Sequence, residues 1–236
     1  MIKIDMLFKN DLDKLWVDTC SSVPYHHDAY DKIKRGYAIV NEIEEKSILF
    51  VGMNPSFSDK KDAWNNGNRG GNILYNIPKP SEKKETNSFF IKINDFYKCI
   101  IDPKPPLAHH DLLFIRETTQ DSVLKWKKDI ILKSFFDKQL EISKKIIKES
   151  KPVLIVVLNA GSRELFKELY GNGVYDNRLG ARIYSIGGKD TPVLFSGMLS
   201  GQRALDLGSQ ESLKWHIEYI LKQIGYKPKN RSLSKL

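Results

Sequence analysis

The chain has 236 residues, 41% of them hydrophobic and 28% charged, a balance typical of a globular domain rather than a disordered or membrane-embedded chain. Its longest apolar run, residues 153–158, is far too short to cross a bilayer, and charged residues stand near the N-terminus where a signal peptide would be apolar, so we predict a cytoplasmic protein. The formal net charge of +9 at pH 7 favours polyanionic partners such as nucleic acid, although an excess of lysine can equally be background composition.

Two apolar runs in the first half of the chain predict strands. Residues 48–51 are apolar throughout, as in a strand covered on both faces, and Gly52 follows them. Residues 112–115 form a second run after a proline-rich stretch. Between these runs, a polar and glycine-rich loop leads to residues 71–75, which we interpret as the start of a short helix.

The second half of the chain alternates strands and helices. Residues 133–150 carry apolar side chains at helical spacing and predict a helix with one buried face. Residues 153–158 are rich in β-branched side chains and predict the strongest strand, which a turn at 159–162 joins to a helix. The remaining predicted elements are two short strands and a last helix, at residues 183–186, 193–195 and about 210–224.

This alternation predicts an α/β fold, because parallel neighbouring strands need crossover connections. We expect a three-layer α/β/α sandwich around a central, mainly parallel sheet of four to five strands. A single domain is predicted over residues 1–225, followed by a basic, flexible tail over residues 226–236. Ligands of open parallel sheets bind beyond the carboxyl ends of the strands, so the loops leaving the strands are expected to carry the chemistry.

Four segments resemble the uracil-DNA glycosylase superfamily. Gly-Met-Asn-Pro-Ser at residues 52–56 is similar to the first motif of its single-strand-selective and mismatch-specific branches. Residues 68–74 and 111–116 resemble two segments of its iron–sulfur-type branch, and residues 151–161 match the Lys-Pro and apolar run of the superfamily. The resemblance covers roughly residues 46–224 and implies a uracil-DNA glycosylase-like fold.

The resemblance also implies an activity, the removal of uracil or a related deaminated or damaged base from DNA by base flipping and N-glycosidic hydrolysis. It assigns catalysis to Asn54, whose amide would position water rather than accept its proton. The implied base pocket comprises the first motif, two aromatic candidates for stacking and the base-reading position: Gly52, Met53, Pro55, Ser56, Phe57, Trp64 and Asp111. The implied DNA contacts are Arg69 and the loop after the last strand: Ser196, Gly197, Met198, Leu199, Ser200, Gln202 and Arg203.

Structural alternatives stand beside these assignments. Asn54 and the proline after it are also a favoured turn sequence. Leu199 is either an apolar wedge for the gap left by a flipped base or a packed side chain, and Arg203 is either a phosphate contact or a solvated side chain. The aromatic candidates fit a place in the core equally well. His109 and His110 precede the predicted second strand, at the wrong end of a parallel strand, and are interpreted as surface or packing histidines.

The second motif of the superfamily is incomplete in this chain. Its members usually carry His-Pro-Ser, with the histidine donating to the departing base, whereas residues 195–203 contain no histidine. Losing one such donor is expected to cost a factor of about 10² to 10³ in rate. The alternative function is therefore a catalytically lapsed member that binds nucleic acid or a nucleobase without cleaving it. A Rossmann-like nucleotide-binding protein built around residues 159–162 is disfavoured, because the chain lacks both the glycine-rich fingerprint and a phosphate-loop lysine.

We expect neither a metal nor another cofactor. Cys20 and Cys99 are far apart in sequence and have no metal ligand at suitable spacing, and the iron–sulfur cluster of the related branch needs four cysteines. The expected partner is DNA, single- or double-stranded, and the protein is expected to be a monomer without membrane contact.

Overall fold

The computed structural model describes residues 1–57, 71–76, 88–201 and 204–226. The strands are β1 (Ile2–Lys3), β2 (Ala38–Val40), β3 (Glu42–Ile43), β4 (Ile48–Gly52), β5 (Ile73–Tyr75), β6 (Leu107–Asp111), β7 (Leu154–Leu158), β8 (Val174–Asp176), β9 (Ala181–Ile186) and β10 (Lys189–Ser196). The helices are α1 (Ile4–Ser22), α2 (Tyr30–Lys34), α3 (Ser88–Lys98), α4 (Gln120–Leu124), α5 (Lys133–Ser150), α6 (Ala160–Tyr170) and α7 (Leu207–Gln223), with a 3-10 turn at Lys125–Lys128.

A six-stranded sheet in the order β6-β4-β7-β10-β9-β8 forms the centre of the molecule. The first four strands are parallel, whereas β9 and β8 are each antiparallel to their neighbour. Every residue of β4 and β7 is buried, which explains why these strands are continuous apolar runs. The prediction of four to five strands missed β8, because its three residues are mostly exposed and carry no apolar pattern.

Helices cover both faces of this sheet, so the fold is mixed α/β with three layers. Alternate residues of β4 enter different cores: Leu49 and Val51 contact the core that includes α1, α5 and α6, whereas Ile48 and Phe50 contact the core that includes α3 and α7. The prediction of a helix over residues 133–150 is confirmed by α5, whose buried side chains recur at helical spacing.

Two predicted elements are wrong. The second strand is β6, not residues 112–115, which lie beyond the strand in a buried segment. Residues 71–75 do not start a helix, because Gly71 has a φ of +112° and the residues after it form β5, paired in parallel with β2. The last helix begins three residues earlier than predicted, where Asp206 accepts a hydrogen bond from Ser209 N at 2.8 Å as its N-cap.

No helix in the described ranges combines the length and apolar character of a membrane span. Of the predicted tail over residues 226–236, all but Tyr226 lies outside the described residues.

Candidate functional site

The carboxyl ends of four parallel strands meet at one edge of the sheet. Gly52 at the end of β4 pairs with Asp111 at the end of β6, and Ser196 at the end of β10 pairs with Leu158 at the end of β7. Asn159 N, directly after β7, donates a hydrogen bond to Ser196 O at 2.9 Å. The first motif and the loop after β10, which sequence analysis assigned to one site, therefore lie on the same edge.

The loop after β7 connects these two regions. A Cβ atom added to Gly161 would lie 2.8 Å from Met53 Sδ, so the first motif approaches the N-terminus of α6 closely. On the other side, Asn159 Nδ2 lies 3.4 Å from Met198 Sδ in the β10 loop. The side chains of Met53 and Met198 thus flank the same short turn.

Two chain segments continue side by side beyond the strand ends: residues 52–57 after β4 and residues 111–118 after β6. Leu112 N donates to Gly52 O at 3.1 Å, and Leu113 N donates to Met53 O at 2.8 Å. These main-chain bonds satisfy backbone groups that the sheet no longer pairs. They therefore allow residues 112–115 to be buried although they form no strand of the central sheet.

The side chain of Asn54 is fixed by these segments. Its Nδ2 atom donates to three backbone carbonyls, those of Pro55 at 3.1 Å, Ile115 at 3.3 Å and Glu117 at 2.5 Å. Because carbonyl oxygens only accept, these contacts also settle which end of the amide carries the nitrogen. The Oδ1 atom is buried and has no hydrogen-bond partner among the described residues. Asn54 therefore holds a fixed acceptor at this edge of the sheet.

The carboxyl of Asp111 lies directly above the backbone of Gly52. A Cβ atom at Gly52 would lie 2.1 Å from Asp111 Oδ1 and 3.3 Å from His109 Nε2. Only glycine leaves room for the carboxyl at this position of β4. This steric requirement explains why the first motif begins with glycine. His109 and Asp111 are two residues apart on β6 and therefore share the face that looks onto Gly52.

Burial controls the charge of both side chains. It raises the pKa of Asp111 to about 7 and lowers the pKa of His109 to about 3. His109 Nε2 lies 3.6 Å from Asp111 Oδ1, too far for a hydrogen bond, and neither of its ring nitrogens has a partner among the described residues. Burial, and then the nearby Asp111 carboxyl, hold the pKa of Tyr75 well above its usual range. The site thus favours a neutral imidazole and, below neutral pH, a neutral carboxyl.

The assignment of both histidines to a position before the second strand is wrong, because His109 and His110 lie within β6 and are buried. Of the two alternatives for these histidines, the structure supports packing and excludes surface exposure. His110 faces the opposite side of the sheet, where its Nε2 lies 2.7 Å from Ser143 Oγ of α5. The sequence signal for His109 was its spacing of two residues from Asp111, which only the correct strand boundary reveals.

Phe57 is packed between guanidinium groups instead of lying open to a base. The residue is 8% exposed, with the Arg35 guanidinium carbon 4.1 Å from the ring centroid and that of Arg116 at 5.1 Å. Glu117 Oε2 binds Arg35 at 3.2 Å and Lys32 at 3.6 Å. The surroundings of Phe57 therefore fit a packed side chain, the alternative to stacking on a base. Its ring packs beside the segment that holds Asn54.

Of the two alternatives left open for Leu199 in the loop after β10, an apolar wedge and a packed side chain, the burial of Leu199 fits the packed side chain. This side chain is 2% exposed and packs in the core that includes α3 and α7, whereas a wedge must project from the surface. Ser196, Gly197, Met198 and Ser200 are partly exposed. Within the first motif, Met53 and Pro55 are buried and Ser56 is exposed. Four predicted site residues lie outside the described residues: Trp64, Arg69, Gln202 and Arg203.

Across the described part of the chain, no cluster of three or more His, Cys, Asp or Glu side chains is arranged to hold a metal ion. No protein-family model matches the sequence, and no curated protein matches it.

Proposed function

We propose that this protein is a DNA glycosylase-type hydrolase that removes uracil or a related deaminated or damaged base by base flipping and hydrolysis of the N-glycosidic bond. One observation carries the proposal. Asn54, the residue to which the resemblance assigns catalysis, has a buried acceptor without a partner among the described residues. Leaving such a group unpaired costs about 1–3 kcal/mol, and a bound water would satisfy it.

The proposed chemistry uses Asn54 to orient that water. Asn54 Oδ1 accepts a hydrogen bond from the water, whose oxygen attacks C1′ of the flipped nucleotide. The C1′–O bond forms while the C1′–N bond breaks, and the electron pair of the broken bond leaves with the base. The proton released by the water passes to solvent, because an amide oxygen does not act as a general base at neutral pH.

Two further features support a DNA substrate. Asp111 stands at the base-reading position of the resemblance and is brought next to the first motif by its pairing with Gly52. The formal net charge of +9 favours association with a polyanion, and such association weakens as salt rises.

The test is a glycosylase assay with a matched pair of variants. Single- and double-stranded oligonucleotides that contain uracil, hypoxanthine or xanthine are incubated with the protein, and abasic sites are cleaved with alkali. Asn54→Ala removes the proposed acceptor together with its three carbonyl contacts. Gln139→Ala is the control for destabilisation of the same segment, because Gln139 Oε1 accepts from Phe114 N at 2.9 Å and Ile115 N at 3.2 Å and supports that segment from the side of α5.

We expect Asn54→Ala to lower the rate by about 10² to 10³, the usual effect of removing one well-placed hydrogen-bonding group from a reaction centre. Gln139→Ala should lose stability but keep its rate when assayed below its melting temperature. If the wild-type protein forms no more abasic product than Asn54→Ala, the proposed hydrolase activity is refuted.

A catalytically lapsed protein that binds nucleic acid or a nucleobase is the second candidate, and the missing histidine in residues 195–203 favours it. Fluorescence anisotropy with labelled DNA separates the two functions. Binding that weakens with salt, together with the absence of turnover, would support the lapsed protein.

A further inference from the structure

The face of α7 that points away from the sheet carries an exposed aromatic pair. Trp215 is 62% exposed, although large aromatic side chains mostly serve to bury apolar surface. Its ring stacks on that of Tyr219, with a centroid distance of 5.3 Å and an interplanar angle of 10°. Tyr219 is held in place, because its Oη atom donates to Arg178 O at 2.9 Å. A fixed phenol ring therefore covers one face of the indole, and most of the remaining surface of Trp215 is open.

An open groove of about 540 Å³ lies beside the indole. Side chains of a helix lean toward its N-terminus, so the ring of Trp215 lies over the preceding turn, and one turn further back Gly208 has no side chain to fill the space. The volume is within the range of about 300–1,000 Å³ that is usual for sites of small planar ligands. The groove is lined by Gly208, Glu211, Ser212, Trp215 and His216.

Two charged side chains lie on the same face as the aromatic pair. Glu211 precedes Trp215 by four residues and Lys222 follows it by seven, so the three share one face of α7. Neither charged side chain has an ion-pair or hydrogen-bond partner in the part of the chain that the structure describes. The groove therefore offers an acceptor at one end of the stacking surface, and a cation stands at the other.

A guanine of a nucleic-acid strand fits this arrangement. Its N1–H and exocyclic amino group are two adjacent donors, which one carboxylate accepts together, whereas adenine offers an amino donor beside a ring acceptor. The phosphates of the strand would lie near Lys222, and the formal net charge of +9 favours a polyanion. In addition, α7 begins directly after the loop that leaves β10, so the groove lies close to the strand edge that carries the candidate site.

We propose that this face of α7 is a second nucleic-acid site, at which a guanine of a single strand stacks on Trp215 and donates to Glu211 while the strand backbone passes Lys222. The ligand is a single strand, because base pairing in a duplex occupies the same guanine edge and stacking occupies both of its faces. The site is separate from Asn54 and involves no reaction, so it goes beyond the proposed function.

The experiment measures binding of strands without deaminated bases, so that hydrolysis does not enter. Fluorescein-labelled single strands of about ten nucleotides, with one guanine or one adenine among thymidines, are titrated by fluorescence anisotropy. Trp215→Ser removes the stacking ring, Trp215→Phe keeps a smaller ring, and Glu211→Gln removes the carboxylate. Val17→Ser on α1 and Glu149→Gln on α5 are the matched controls, because they change an apolar side chain and a carboxyl that are exposed elsewhere.

We expect the wild-type protein and both controls to bind the guanine strand about fivefold more tightly than the adenine strand. Trp215→Ser should weaken binding of both strands about tenfold, and Trp215→Phe should retain most of the affinity, which separates lost stacking from lost folding. Glu211→Gln should bind both strands equally, because a carboxamide replaces one acceptor by a donor.

Equal affinity of the wild-type protein for the two strands, or a guanine preference that persists in Glu211→Gln, would overturn the inference. Displacement of the strand by an equal concentration of guanosine monophosphate would overturn it as well, since the site would then bind a free nucleotide. Unchanged DNA affinity in Trp215→Ser, together with a wild-type dimer that this variant loses in sedimentation, would assign the surface to a second copy of the chain. Abasic product at uracil is a separate readout, so the hydrolase and this site can fail independently.

Discussion

The two halves of the sheet edge differ in how their polar groups are satisfied. In the β7–β10 half, formed by Asn159 and residues 196–201, Asn159 Oδ1 accepts from both Ser162 N and Ser162 Oγ at 2.8 Å. In the β4–β6 half, formed by residues 52–57 and 111–118 with His109 behind them, the acceptor of Asn54 and both ring nitrogens of His109 lack partners among the described residues. Native proteins pair most buried polar groups, so the β4–β6 half is where a ligand would complete the structure.

The largest expected effect concerns the pH dependence of stability. The pKa of Asp111 is raised from 3.8 to about 7, so the folded protein binds more protons than the unfolded chain in this window and loses stability as pH rises through it. The loss is about 1.4 kcal/mol per pH unit below pH 7 and levels off as the carboxyl ionises, which gives about 3 kcal/mol between pH 5 and pH 8. Asp111→Asn removes this contribution, so its stability relative to wild type should increase by that amount over the same range.

Urea denaturation at several pH values measures the difference. The buried His109 and His110 act in the opposite direction, since their pKa values are lowered to about 3 and their protonation favours unfolding below their ordinary value of 6.5. Both histidines remain in the variant, so the difference between the two proteins isolates the carboxyl. A difference that is constant from pH 5 to pH 7 would show that Asp111 is ionised in the folded protein at all of these pH values.

A smaller effect is expected for Gly52→Ala. The new Cβ atom would meet Asp111 Oδ1 at 2.1 Å, and overpacking of this kind costs about 1–3 kcal/mol of unfolding free energy. Chemical denaturation measures the loss. Gly208→Ala is the control, because its Cβ atom would meet Asp206 Oδ1 at an ordinary contact distance of 3.4 Å and alanine is favoured over glycine in a helix. Restoration of part of the stability by Asp111→Ala in the Gly52→Ala background would identify the carboxyl as the cause.

The smallest effect is expected in the β7–β10 half. Asn159→Ala removes the N-cap of α6 and places alanine at a φ of 70°, so we expect a loss of about 1–2 kcal/mol in stability and no change in ligand binding. Asn159→Asp keeps the capping acceptor and serves as the matched variant. Thermal melts and the anisotropy titration provide the two readouts. A loss of DNA binding in Asn159→Asp, at unchanged stability, would show that this half also contacts the ligand.

The elements that could be predicted from the sequence are those whose burial produces a pattern of apolar residues within the element itself. β4, β7 and α5 were found because apolar runs and helical spacing depend on neighbouring residues alone. β6 was missed because two of its five residues are histidines, whose strand placement depends on burial between α3 and α5. β5 was missed because its pairing partner β2 lies more than thirty residues away along the chain.

The wrong boundary of β6 also limited which residues of the candidate site could be predicted. Asn54 and Asp111 were named from the resemblance, and the pairing of Gly52 with Asp111 brings them to one edge of the sheet. The apolar run over residues 112–115 predicts a strand there, which puts His109 before the strand instead of within it. The raised pKa of Asp111 could not be foreseen, since it arises from burial in the folded protein and not from neighbouring sequence.

Residues 52–57 and 111–118 run side by side, and this arrangement limits how far the site can change when a ligand binds. Main-chain hydrogen bonds join the two segments from Gly52 to Glu117, and the Thr118 hydroxyl donates to Phe57 O. Neither segment can move without breaking several of these bonds. The amide of Asn54 is therefore preorganised, and little reorganisation energy would be spent if a ligand bound to its Oδ1 atom.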